Sequence, residues 1–148
     1  FCFGHQILAK NLNVKVNRGS TWELGLQKIS LKDDVAQKFP FDVVNSDSVN
    51  LIEFHQDIVY NVPENVSLIG SSHACNIQGL LSLSDLKLLT FQGHPEFSSP
   101  FSLELLKQMF QDGKITEAQY EKASSSIIAN QNSGSEIAKV VCNFISGQ

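Results

Sequence analysis

A cysteine at the start of the chain stands where a turn meets a predicted helix. Phe1-Cys2-Phe3-Gly4 leads directly into a segment with helical periodicity that begins at His5. Unpaired N–H groups at a helix N-terminus stabilise negative charge, which should raise the thiolate fraction of a cysteine placed there. Gly4 would let the backbone bend sharply, as a nucleophile elbow requires. The pattern predicts a nucleophilic Cys2, and the competing interpretation is a buried, unreactive thiol.

A histidine and a glutamate two residues apart form the second candidate group. In Gly93-His94-Pro95-Glu96, the pair follows an apolar segment that predicts a strand. Side chains at i and i+2 of an extended segment point to the same side, so Glu96 is expected to orient His94. The competing interpretation is an ordinary surface ion pair. Together with Cys2, the pair supplies a nucleophile, a base and an orienting carboxylate.

The other histidines and cysteines form weaker patterns. His73 and Cys75 are poor evidence for zinc without two further ligands, so no metal site is expected. His55 is interpreted as structural. Cys142 is interpreted as a core residue, because it lies within the apolar stripe of a predicted helix. Three widely separated cysteines do not form a disulfide framework, and they favour a reducing, cytoplasmic compartment.

Hydrophobic periodicity predicts the elements that must position these groups. A helix is predicted over 5–13, with Asn13 in the left-handed turn that ends it. Strands are predicted near 14–16 and as a pair over 22–31 with a bend at Gly25, then over 66–72, 76–83 and 87–93, while 50–62 is an apolar segment around a polar His55-Gln56-Asp57. The segment 32–42 is predicted to be a helical turn or loop. From Ser99 the pattern is helical, with Thr116 and Ser135 as candidate N-caps.

Composition excludes several classes of protein. The 148 residues are enough for one domain with a core. A net charge of −4 lacks the positive field that binds nucleic acid. No apolar run reaches the length of about 18 residues that a membrane span requires.

Three segments carry a specific resemblance. Cys2-Phe3-Gly4-His5-Gln6 resembles the nucleophile motif of class I glutamine amidotransferases, and His94-Pro95-Glu96 resembles their histidine–glutamate block. His55-Gln56-Asp57, with Val59 and Pro63, is similar to a second block of the family. The chain looks most like stand-alone amidotransferase-like proteins related to the amidotransferase domain of GMP synthase. Plant γ-glutamyl peptidases are similar too, in the Trp22-Glu23-Leu24-Gly25 type of segment.

The resemblance implies an α/β, flavodoxin-like class I glutamine amidotransferase fold, incomplete at the N-terminus and with a C-terminal helical tail. Residues 1–98 would be the C-terminal part of the catalytic domain, and 99–148 a helical extension packed on the same domain. The family's glycine two residues before the nucleophile, and the loop that gives the second oxyanion donor, would precede Phe1. The chain by itself is therefore expected to be inactive.

The resemblance also implies the chemistry. Cys2 would attack the side-chain amide of glutamine, His94 would transfer protons and Glu96 would hold His94, giving glutamate and ammonia through a thioester. The N–H of Phe3 would be an oxyanion donor. Gln6 and the backbone around Phe54 and Gln56 would contact the substrate. No cofactor is expected.

Three functions stay open at this point. The first is a glutamine amidotransferase that makes ammonia for an acceptor or partner that the sequence does not reveal. The second is a γ-glutamyl peptidase or hydrolase with the same triad, and the third is a non-catalytic fragment. Neither nucleic acid nor a membrane is expected as a partner.

Overall fold

The computed structural model describes residues 1–36, 44, 47–84 and 86–147, which form an α/β fold with a helical C-terminal tail. The elements are α1 (Phe3–Asn11), β1 (Val16–Leu31), α2 (Asp33–Ala36), β2 (Ser48–Val59), β3 (Ser67–Ser71), β4 (Gly79–Ser82), β5 (Leu88–Phe91), α3 (Ser99–Gln111), α4 (Glu117–Ala129) and α5 (Gly134–Ser146). Within the described ranges, no helix is both long and apolar enough to cross a membrane.

The strands form one sheet in the order β2-β1-β3-β4-β5, and every pairing among the described residues is antiparallel. The long pair β1–β2 contains an irregularity. Arg18 lies opposite Asp57, but the next paired residues are Glu23 and His55. Residues 19–22 of β1 therefore stand opposite the single residue Gln56. Such a bulge bends the strand and turns side chains toward a neighbouring site.

Helices cover both faces of this sheet. Adjacent residues of β2 point to opposite faces, so Leu51 joins the core under α5 and Ile52 joins the core under α3 and α4. Ile137 of α5 and Leu106 of α3 are fully buried in these two cores. Burying one such side chain stabilises the fold by about 1.5–3 kcal/mol. The helical tail is thus packed on the sheet, whereas a domain division at residue 98 stays a prediction.

Gly25 is the point of closest approach between β1 and α4. Its φ is +81°, and a Cβ there would lie 2.7 Å from the carbonyl oxygen of Ala123. The N–H of Leu26 donates a hydrogen bond of 2.9 Å to Ser126 Oγ on the same helix. Only glycine combines this backbone conformation with this contact.

Several local predictions are confirmed. Asn13 has a φ of +61° just after α1. Thr116 and Gln119 form a complete capping box at the start of α4. The predicted loop or turn over 32–42 is described only as far as Ala36, where α2 ends, and the rest lies outside the described residues.

Three local predictions are wrong. The strand pair over 22–31 is a single strand, because Gly25 packs against α4 and does not form a turn. The N-cap of α5 is Ser133, without a side-chain cap, and not Ser135. Cys142 is exposed and not a core residue, because the hydrophobic side chains of α5 that are fully buried in the core are Ile137 and Val140.

Candidate active site

Cys2 lies on a strained turn directly before α1. Its φ of 46° and ψ of −107° are unusual for a residue with a side chain. Its N–H donates a 2.9 Å hydrogen bond to the carbonyl oxygen of Phe91, at the end of β5. The sharp bend falls on Cys2 itself and not on Gly4, which has no positive φ. Strain of this kind is typical of a nucleophile held out from the backbone.

The surroundings of Cys2 do not favour a free thiolate. Burial raises the pKa of Cys2, and the charges of Glu53 and Glu96 raise it further. Two groups lower the pKa of Cys2, the N–H of Phe3 through a hydrogen bond and the N-terminal ammonium through its charge. The pKa nevertheless stays above its ordinary value. The expected gain in thiolate from the helix start is therefore outweighed by burial. A nucleophilic Cys2 in this setting requires a base.

His94 and Glu96 are brought together as an i, i+2 pair. His94 Nδ1 lies 2.8 Å from Glu96 Oε1. The backbone N–H of His94 donates to the carbonyl oxygen of Ile52 at 2.8 Å, which fixes the segment against β2. The imidazole stacks on Phe97, with ring centroids 4.0 Å apart. The His94 side chain is 14% exposed and that of Glu96 is 47% exposed, so the carboxylate faces water while the ring is held between neighbours.

Gln92 connects the two halves of the site, and the sequence patterns do not identify it. It is fully buried, and its Nε2 donates to Cys2 Sγ at 3.6 Å. Its Oε1 accepts a 3.1 Å hydrogen bond from Gln6 Nε2. Gln6 Nε2 also donates to the carbonyl oxygen of Asp57 at 2.9 Å. A polar glutamine in an otherwise apolar segment, two residues before His94, is the signal that could have identified this connection.

A cavity of about 180 Å³ opens beside Cys2. Its lining residues are Cys2, Gln6, Arg18, Trp22, Phe54, His55, Gln56 and Asp57. Three of the predicted substrate-binding residues, Gln6, Phe54 and Gln56, therefore lie around the nucleophile. The fourth, Phe3, has a side chain that is 70% exposed and lines an adjoining groove. Glu96 lines a larger surface depression of about 490 Å³ on the side of α5, which does not include Cys2.

The bulge in β1 builds one wall of the Cys2 cavity. Arg18, which directly precedes the bulge, and Trp22, its last residue, both line the cavity. A Cβ on Gly19 would lie 2.9 Å from the carbonyl oxygen of Gln56, so the bulge passes close to β2. Arg18 Nε lies 3.2 Å from Asp57 Oδ1. The cavity thus has a cation and an anion at its rim.

Behind this wall lies a buried group of charged side chains. His55 Nε2 lies 2.8 Å from Glu23 Oε2 and 3.3 Å from Glu53 Oε2. Burial lowers the pKa of His55, but its interactions with Glu23 and Glu53 outweigh burial and raise the pKa to about 9. Burial raises the pKa of Glu53 to about 7 despite the opposing effect of His55. His55 is thus held between two carboxylates, consistent with a structural role.

His5 follows Cys2 closely in the sequence but contacts β5. Its side chain is fully buried, and Nδ1 lies 2.8 Å from Thr90 Oγ1 on β5. Burial lowers the pKa of His5 to about 4, so the ring is neutral at physiological pH. His5 therefore anchors α1 to β5.

Comparisons with known proteins identify the family of this chain. Residues 1–112 match the family described as Glutamine amidotransferase class-I. The chain is 32% identical to "Gamma-glutamyl peptidase 2" of Arabidopsis thaliana over 149 residues, covering 99% of this chain and 58% of that protein. It is 31% identical to a glutamine-hydrolyzing GMP synthase component of Sulfurisphaera tokodaii, covering 64% of this chain and 48% of that protein. The chain thus spans about half the length of these relatives.

A solved structure shows the same fold. The glutamine amido transferase from Methylobacillus flagellatus superposes with a TM-score of 0.72 at 20% identity, covering 99% of this chain and 61% of that one.

Proposed function

Because the chain belongs to the class I glutamine amidotransferase family, we propose that it carries the nucleophile and the base of a thiol hydrolase. The reaction is cleavage of the side-chain amide of glutamine, with Cys2 as nucleophile, His94 as base and acid, and Glu96 as the residue that orients His94. Glutamate and ammonia are the products.

One observation supports this assignment above the others. Cys2 is held on a strained turn by a hydrogen bond to Phe91, at the end of the strand whose continuation carries His94 and Glu96. Gln92, between Phe91 and His94, reaches the cysteine sulfur with its side chain. The nucleophile and its candidate base are therefore anchored to one short segment of backbone, although they lie far apart in the sequence.

The proposed reaction begins with proton transfer. Burial raises the pKa of Cys2, so His94 takes the thiol proton as the sulfur attacks the amide carbon. In this proposal the Phe3 N–H, whose hydrogen bond to Cys2 lowers the thiol pKa, donates to the oxyanion that forms next to the sulfur. His94 then protonates the leaving amine, a thioester links the glutamyl group to Cys2, and water activated by His94 releases glutamate.

The rim of the cavity supports a glutamyl substrate. A γ-glutamyl group carries an α-carboxylate and an α-ammonium. Arg18 and Asp57 offer one charge of each opposite sign, 3.2 Å apart at the cavity. Gln6 lies between this pair and Cys2, since its amide reaches the carbonyl oxygen of Asp57. We therefore assign recognition of the amino-acid end of the substrate to these three residues.

A γ-glutamyl peptide is the second candidate substrate. The relative from Arabidopsis thaliana that is 32% identical over 149 residues is named as a γ-glutamyl peptidase. This similarity supports peptidase activity in addition to glutamine hydrolysis.

The test is an assay of the full-length protein, including any residues that precede Phe1, with two substrates. Ammonia release from glutamine and amino-acid release from γ-glutamyl dipeptides are measured at equal protein concentration. Cys2→Ser is expected to lower kcat/KM for whichever substrate is cleaved by at least about 10³-fold. Cys142→Ser is the matched control, because Cys142 is exposed on α5. Turnover that survives in Cys2→Ser would refute the proposed nucleophile, and an inactive wild type would favour the non-catalytic alternative.

A further inference from the structure

Three metal-binding side chains and a neighbouring glutamate lie together behind the wall of the Cys2 cavity. Glu23 comes from β1, Glu53 and His55 come from β2, and Cys75 comes from the connection between β3 and β4. Their exposed fractions are 4%, 0%, 4% and 1%. A carboxylate oxygen of Glu23, a ring nitrogen of His55 and the sulfur of Cys75 all lie within 4.8 Å of one another. This combination of oxygen, nitrogen and sulfur donors is one that zinc prefers.

The hydrogen bonding of His55 determines which nitrogen faces the cluster. Nδ1 lies 3.1 Å from the carbonyl oxygen of Asp57. A carbonyl oxygen only accepts, so Nδ1 carries a hydrogen, and the ring presents Nε2 as an acceptor once its second proton is released. Without a metal, the protonated Nε2 lies 2.8 Å from Glu23 Oε2 and 3.3 Å from Glu53 Oε2. A histidine held in this way by a backbone carbonyl is typical of metal ligands.

Glu53 provides the independent observation. It is fully buried, and neither carboxylate oxygen has a well-formed hydrogen bond among the described residues. Gly93 makes room for it, because a Cβ at Gly93 would overlap Glu53 Oε1. A buried carboxylate is unfavourable unless donors or a cation lie beside it, and without a metal it is protonated His55, with Nε2 3.3 Å away, that supplies this charge. His55 Nε2 lies closer to Glu23 than to Glu53, so one ring nitrogen does not satisfy every carboxylate oxygen.

We infer that this cluster binds one zinc ion with three protein ligands. The ligands are Glu23, His55 and Cys75, and Glu53 lies beside them. On binding, Cys75 releases its thiol proton and His55 releases any proton on Nε2, both to solvent. The thiolate and the Glu23 carboxylate balance the charge of the ion, and a zinc-bound water molecule, which can donate a hydrogen bond to Glu53, would complete a tetrahedral site. This inference departs from the sequence-based expectation of no metal, which considered Cys75 only with its neighbour His73.

The surrounding hydrogen bonds suit such a site. Ser72 Oγ donates to Glu23 Oε1, and Gln78 Nε2 donates to Glu23 Oε2 at 2.8 Å. Both donors hold the carboxylate in one orientation, as partners of metal ligands do. The ion would connect β1, β2 and the β3–β4 connection. Because His55 also lines the Cys2 cavity, zinc would hold the cavity wall in place and would not contact the substrate.

The first test is metal analysis of the full-length protein, including any residues that precede Phe1. The protein is expressed with zinc in the medium, dialysed and analysed by inductively coupled plasma mass spectrometry. We expect about one zinc ion per chain. Replacement of zinc by Co²⁺ is expected to give the visible bands of a tetrahedral site together with thiolate-to-cobalt charge-transfer absorption in the near ultraviolet.

Variants test whether the zinc and the cobalt spectrum come from this cluster. Cys75→Ser is expected to lose the charge-transfer band and to lower the zinc content at least about tenfold. Cys2→Ser, Cys142→Ser and His73→Ala are expected to keep both, since these residues lie outside the cluster. Circular dichroism shows whether Cys75→Ser is folded. If it is not, Glu23→Gln tests the same site through the zinc content.

Three results would overturn the inference. The first is a wild-type protein that binds less than about a tenth of a zinc ion per chain after exposure to zinc. This would mean that bound protons, and not a metal ion, neutralise the charges of the cluster. The second is a cobalt spectrum without thiolate charge transfer. The third is an equal zinc content in wild type and Cys75→Ser, which would place the ion elsewhere.

Discussion

The hydrogen bond between His94 and Glu96 gives a prediction whose size follows from the structure. Glu96→Gln removes the charge but keeps an oxygen that can accept from Nδ1 of His94. The bond is short, at 2.8 Å, but the Glu96 side chain is 47% exposed and water screens its charge. A hydrogen bond to a charged group contributes about 1.5–3 kcal/mol, and exposure favours the lower end. We therefore expect kcat/KM to fall by about 10- to 30-fold.

His94→Ala should be far more damaging. It removes the group that takes the proton from Cys2, whose pKa is raised by burial, and that returns a proton to the leaving amine. General acid–base catalysis contributes about 10²–10⁴-fold, so we expect a loss of about 10³-fold or more. Since Glu96 acts only through His94, the double variant should be no less active than His94→Ala alone.

The assay is steady-state release of glutamate by the full-length protein across a range of substrate concentrations. Glu121→Gln, an exposed carboxylate on α4, is the matched control and should keep wild-type kcat/KM. The reasoning is refuted if Glu96→Gln is as active as wild type or as inactive as His94→Ala. It is also refuted if the losses in the double variant multiply, because Glu96 would then act independently of His94.

Three further predictions concern reactivity and stability. In a Cys142→Ser background, iodoacetamide should label Cys2 faster than the buried Cys75, measured by peptide mapping. His94→Ala should slow the labelling of Cys2, because no base then removes the thiol proton. The pKa of His5 is about 4 in the fold against 6.5 ordinarily, so the unfolded chain binds its proton first as pH falls. Stability should therefore be full above pH 6.5 and fall by about 3 kcal/mol toward pH 4, measured by urea unfolding, and His5→Gln should flatten this dependence. Gly25→Ala should lower the free energy of unfolding by about 2–4 kcal/mol, since it combines a positive φ with overlap against α4.

Each of these has an internal control. Equal labelling of Cys2 with and without His94 would contradict the proposed base. His73→Gln, at an exposed position, should leave the acid dependence unchanged, and an unchanged dependence in His5→Gln would contradict the role of His5. Gly113 has a φ of +68°, and no atom lies within 4 Å of the place that a Cβ would occupy, so Gly113→Ala isolates the backbone penalty. An equal effect of the two glycine substitutions would show that the contact with α4 is unimportant.

The family and the general fold could be predicted from short, local patterns. The nucleophile motif around Cys2 and the His94–Pro95–Glu96 block are each a short continuous segment of the sequence. Side chains at i and i+2 of an extended segment lie on the same side whatever the rest of the chain does. The capping box of α4 and the left-handed Asn13 are local for the same reason. Alternating or apolar segments predict β3, β4 and β5, because burial of apolar side chains is a local property of the sequence, but they do not predict that β1 runs unbroken from Val16 to Leu31.

Only the tertiary structure decided how distant residues meet. The bulge in β1 sets Glu23 opposite His55, and a shift of one residue would have turned Glu23 to the other face. Nothing in the sequence around Glu23 or Cys75 indicates that they approach each other, since register and chain crossing are determined by packing over the whole sheet. The same holds for the ionisation of Cys2. A helix start favours its thiolate locally, but burial and the carboxylates contributed by distant segments decide its pKa.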